Sequence, residues 1–77
     1  MTHTTGTLRT SWTLARNGQR LTCTLIAEGE WYVLRISHAG HHIVEERCQG
    51  PQDALVRSFE AFTALATRGW MSEAAVN

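Results

Sequence analysis

Nine residues, Arg20 to Glu28, alternate polar and apolar until Ile26 interrupts them, and they stand between two hairpin signals, Asn17-Gly18 and Gly29-Glu30. Both central positions of a type I′ turn need positive φ, which Asn and Gly tolerate, and a glycine in first place suits a type II′ turn. An interior strand with a tight turn on each side leaves few folds open, because a two-residue loop decides which residues face each other.

The register can be checked within the sequence. With a loop at 17–18, partners sum to 35, so Leu14 faces Leu21, Trp12 faces Cys23, Thr10 faces Leu25 and Leu8 faces Ala27. The reverse side then pairs Ala15 with Arg20, Thr13 with Thr22, Ser11 with Thr24 and Arg9 with Ile26. With a loop at 29–30, partners sum to 59, which sets Ala27 against Tyr32, Leu25 against Leu34, Cys23 against Ile36 and Leu21 against His38. One apolar face runs across three strands, so turn chemistry and alternation agree.

A third turn near Ala39-Gly40-His41 leads to a fourth strand, Ile43 to Cys48. A two-residue loop would turn Ile43 inward together with Glu45 and Arg47. A three-residue loop turns Val44 and Cys48 inward, sets Glu45 beside Arg35 outside, and leaves Glu46 near the edge where water reaches it; this register is preferred.

Gln49-Gly50-Pro51 closes the sheet and opens a helix, with proline preorganised for the first helical position and Asp53 suited to the positive end of the helix dipole. Leu55, Val56, Phe59, Phe62, Leu65 and Ala66 recur at three- and four-residue spacing and predict one amphipathic helix of about 17 residues. Gly69 fits the left-handed position that ends it, and Trp70 can fold back on Leu65. The expected fold is α+β: a four-stranded antiparallel meander in the order 1-2-3-4 with one C-terminal helix on one face. The expected organisation is a flexible segment over 1–7, a single ββββα domain over 8–70 and a frayed tail over 71–77.

Seven arginines balance seven acidic residues and there is no lysine, so no overall field draws the chain to nucleic acid or an anionic membrane. No apolar run approaches the roughly 20 residues that span a bilayer, and the first residues lack the basic end and apolar centre of a signal peptide. The expected compartment is the cytoplasm, without membrane association. Strand order places Cys23 and Cys48 about 9.6 Å apart or more, beyond the reach of a disulfide.

Catalytic chemistry finds little footing, and neither an enzyme nor a cofactor is expected. The cysteines lack a helix N-terminus or a cationic setting, and Glu45 and Glu46 point to opposite faces of a strand. His38, His41 and His42, with Cys48, have metal-ligating side chains, but their spacing matches no paired zinc framework, and no metal is expected.

The uncovered sheet face is the expected functional surface. It carries Arg9, Arg20 and Arg35, several hydroxyls, and the apolar group Ile26, Trp31 and Val33. Large apolar groups gathered on a solvent face mark contact sites, and Trp and Arg are enriched at interface hot spots. The leading expectation is a non-catalytic protein-interaction module that self-associates or binds a partner protein through Ile26, Trp31, Val33 and Arg35. The alternative is a nucleic-acid-binding sheet using Arg9, Arg20, Arg35 and Trp31. Arginine and tryptophan on an open three-stranded sheet backed by a helix resemble, in architecture, arm-type integrase domains and plant ethylene-response DNA-binding domains. That resemblance implies a sheet laid in the major groove.

Overall fold

Asn17 and Gly18 both take positive φ, 51° and 78°, in the computed structural model of the chain, which describes residues 8–73. The resulting two-residue turn joins β1 (Leu8–Arg16) to β2 (Gln19–Glu28), and Gly29, at φ 61°, opens the turn into β3 (Trp31–His38). A third turn at Ala39 and Gly40 leads into β4 (His41–Cys48), followed by α1 (Pro51–Ala66) and a two-residue β5 (Met71–Ser72). The sheet is antiparallel with the order β4-β3-β2-β1-β5, so the meander and its C-terminal helix are as the sequence predicts, with one short strand added. The segment expected to be flexible over 1–7, and residues 74–77 of the expected tail, lie outside the described residues.

The β2–β3 register follows the sum of 59 along its whole length, from Leu21 opposite His38 to Glu28 opposite Trp31. The β1–β2 register follows the sum of 35 only as far as Trp12 opposite Cys23. A bulge at Ser11 then shifts it, and Thr10 faces Thr24, Arg9 faces Leu25 and Leu8 faces Ile26. A bulge sets two residues against one, so every residue beyond it changes face. Arg9 therefore lies on the helix side of the sheet, which corrects its expected place on the open face.

β4 begins two residues earlier than expected. Ala39 and Gly40, at φ 53° and 83°, form a two-residue turn that sets His38 opposite His41. A bulge at Ile43 then brings in the three-residue register, with Val44 opposite Ile36, Glu45 opposite Arg35 and Cys48 opposite Tyr32. The preferred pairing is reached through a tight turn plus one bulged residue rather than through a longer loop.

The core is Leu21, Cys23, Leu25, Leu34, Ile36, Cys48 and Ala54, with Trp12, Tyr32, Ala61, Leu65 and Trp70 packed against it. Both thiols are free and buried, with β3 between their strands. Burial pushes each thiol above its ordinary pKa. Gly50 caps α1 in extended conformation, and the Asp53 carboxylate reaches back to accept the Gln49 backbone N–H at 3.1 Å. At the far end Gly69, at φ 99°, lets its own N–H bond Ala66 and the Trp70 N–H bond Leu65, the paired contacts of a Schellman ending. Past that turn Met71 and Ser72 pair with Ala15 and Leu14, and the Glu73 N–H bonds the Thr13 carbonyl.

Candidate functional site

α1 meets the sheet on a face the apolar spacing does not indicate. The residues turned to the core are Ala54, Ser58, Ala61 and Leu65, whereas Leu55, Val56 and Phe59 are exposed and Phe62 only half-buried. The helix is rotated by roughly a quarter turn from the orientation that would bury its apolar stripe. The sheet face already carries Trp12, Leu14, Leu21, Leu25, Tyr32, Leu34 and Ile36, and small side chains opposite such bulk let two layers close without voids.

Polar contacts hold this orientation. The Ser58 side chain, 2% exposed, lies with its hydroxyl 2.5 Å from that of Ser11, the bulged residue of β1. The Cys23 thiol approaches the same oxygen at 3.8 Å, and the Trp12 indole N–H donates to the Ser58 carbonyl at 2.9 Å. On the β4 side, Arg57 donates to Asp53 at 3.1 Å and to Glu46 at 2.9 Å. The Gln49 N–H, and next Arg57, hold the Asp53 carboxyl below its ordinary pKa.

The two flanks of α1 thus differ in kind. One carries Asp53 and Arg57 and is tied to β4. The other, toward β1, is a run of apolar side chains in which Trp12 and Phe62 have ring centroids 6.4 Å apart and Phe62 and Phe59 lie stacked at 6.3 Å. Phe59 is 67% exposed and Leu55 53%. Ser11, Trp12, Leu55, Phe59, Phe62 and Ser72 line a groove along this flank. A cavity of about 260 Å³ opens at its N-terminal end, between Arg9, Leu25, Ala27, Tyr32, Pro51 and Leu55.

The open sheet face is less apolar than expected. Val33 is only 6% exposed: Ile26 and Arg47 flank it in register, and Trp31 and Arg35 stand two residues to either side. Ile26 is half-buried, and Trp31, at 41%, is covered on one side by the Arg47 guanidinium 5.3 Å from its ring centroid. Arg35 donates to the Glu45 carboxylate at 2.5 and 3.1 Å, which holds Glu45 below its ordinary pKa. Arg20 makes a two-pronged contact with Glu73 at 2.7 and 3.0 Å. Ile26, Trp31, Val33 and Arg35 thus share a face, as do Arg20, Arg35 and Trp31, while Arg9 lies on the other side of the sheet.

His38, His41 and His42 gather at the β3–β4 turn, His42 on the open-face side. His38 bonds Gln19 at 2.8 Å and faces His41 across the turn, while His42 faces Ser37. No helix among the described residues is long and apolar enough to cross a membrane.

Sequence reasoning missed the α1 flank because it assigned every apolar helix position to the core. One signal was available: a stripe that includes Leu55, Val56, Phe59, Phe62 and Ala66 is wider than a single contact face, and Ala54, Ser58 and Ala61 form a second stripe at helical spacing. No protein-family model matches the chain, and neither a curated protein nor a solved structure matches it.

Proposed function

We propose that this chain is a non-catalytic protein-interaction module that binds its partner protein through the apolar flank of α1, centred on Phe59. The observation that carries this reading is the orientation of the helix: Ala54, Ser58 and Ala61 face the sheet while Leu55 and Phe59 face outward beside the half-buried Phe62. Exposed aromatic groups gathered on one rigid element are typical of contact surfaces, whereas single exposed ones are ordinary. The open face, with Trp31 at its edge beside the β2–β3 turn, is a second candidate surface. For a nucleic-acid partner the support is weaker, since Arg20 and Arg35 are engaged with Glu73 and Glu45 and net charge is zero.

A photo-crosslinking side chain placed at position 59, and separately at position 31, in the full chain tests the proposal. Discrete protein adducts from position 59 are expected. Adducts from position 31 alone would move the surface to the open face. Absence of protein adducts at both positions, together with steeply salt-dependent binding of DNA or RNA, would overturn the interaction reading.

A further inference from the structure

The bulge at Ser11 decides which residue near the start of β1 faces the helix side. In the register of the turn at 17–18, Leu8 would face Ala27 there, and Arg9 would face Ile26 on the open side. The bulge instead sets Arg9 opposite Leu25, a core residue. A strand with a leucine at hand for this place thus presents an arginine. Bulges next to active sites re-aim side chains in the same way.

The space that Arg9 faces is not filled. The cavity of about 260 Å³ is walled by Leu25, Ala27 and Leu55, and Pro51 and the half-buried Tyr32 complete it with Arg9. That volume exceeds the roughly 150 Å³ that holds a benzene molecule in an apolar protein cavity. Arg9 is the one charged side chain on the wall, and Tyr32 brings the one further polar side-chain group.

No acidic side chain competes for the guanidinium. The ion pairs among the described residues engage Arg20, Arg35 and Arg57, and none engages Arg9. Asp53 in the first turn of α1, and Glu46 of β4, are bound to Arg57 on the opposite flank of the helix. Glu28, next to Ala27, lies opposite Trp31 on the open face. Residues 1–7, which lead into β1, include no acidic residue.

We propose that this cavity binds a small organic carboxylate with an apolar body, of the size of an aromatic acid. The Arg9 guanidinium receives the carboxylate in a two-pronged contact, and the Tyr32 hydroxyl is the further donor on the wall. Leu25, Ala27 and Leu55 take the apolar body, as in most small-molecule sites, where an apolar lining surrounds a few polar groups. Inorganic phosphate suits the site poorly, because one guanidinium leaves part of its charge uncompensated beside apolar walls. The binding needs no partner protein, so it does not rest on the α1 flank as an interaction surface.

Titration of the full chain with benzoate at constant ionic strength, followed by amide NMR, tests the proposal. Saturable shifts are expected at Arg9, Leu25, Ala27 and Leu55, with a Kd on the order of 1 mM or below. Benzamide, which has the same shape without the charge, should bind about tenfold more weakly or worse. Inorganic phosphate should give no saturable shifts at these residues. Arg9→Gln should weaken benzoate about tenfold or more with an unchanged circular dichroism spectrum, since Arg9 is exposed. Ala27→Leu, which fills the cavity, should remove the binding, and Arg9→Gln keeps the test decisive if that variant folds poorly. Absence of saturable shifts overturns the proposal, as does equal affinity in Arg9→Gln. Benzamide or phosphate binding as tightly as benzoate would overturn the carboxylate assignment.

Discussion

The hydroxyl of Ser11 lies 2.5 Å from the hydroxyl of Ser58, 47 positions along the chain, and joins the bulge of β1 to the buried face of α1. Both unexpected features of the fold meet at this bond. The bulge turns Ser11 toward the helix, and a small hydroxylated residue on the helix receives it.

Replacing Ser58 by alanine therefore leaves Ser11 without its partner in a half-buried place. Loss of about 1 kcal/mol of stability is expected by urea denaturation. In a double-mutant cycle with Ser11→Ala, the two losses should fall short of additivity by about 0.5–1.5 kcal/mol. Strict additivity would show that the bond does not hold the helix.

Ala39 takes φ 53° in the third turn, a conformation that an L-residue with a Cβ adopts only at a cost. Asparagine tolerates that region and pairs with Gly40 as the preferred type I′ sequence. Ala39→Asn should stabilise the chain by about 0.5–1 kcal/mol, read as a rise in denaturation midpoint at unchanged slope. A loss of stability would mean that the turn is of another type.

The hairpins were legible because their turns are local: Asn17-Gly18 and Gly29-Glu30 declare their φ requirements within two residues, and the alternation around them confirms the register. The bulges at Ser11 and Ile43 carry no such mark. That at Ser11 answers to Ser58, which only the finished fold brings near. β5 was illegible for a related reason, since two residues show no period and their partner edge lies more than 50 positions away. The orientation of α1 failed differently. Periodicity reports where apolar residues stand on a helix, not which stripe meets the sheet, and a sheet already bearing large side chains takes the stripe of small ones.

Asp53 and Glu45 both have lowered carboxyl pKa values, Asp53 chiefly through the Gln49 N–H and Glu45 through Arg35. Each binds its proton more weakly in the folded chain than in the unfolded one, so stability rises with pH between the folded and unfolded values. Their contribution is complete above the ordinary carboxyl value of about 4 and is lost as pH falls through the lowered folded values. Denaturant midpoints should hold from neutral pH down to about pH 5 and then decline. The decline should be shallower in Asp53→Asn, and an equal decline in that variant would remove Asp53 from the account.

The orientation of α1 decides where the interaction surface lies, and one pair of variants reads it directly. Ala54→Leu should cost about 1–3 kcal/mol in denaturant, because its side chain is fully enclosed against the sheet. Phe59→Ala should change stability by no more than about 0.5 kcal/mol, because most of its ring is in water. A large loss at Phe59 with tolerance at Ala54 would mean that the apolar stripe is buried after all, and the proposed surface would not exist.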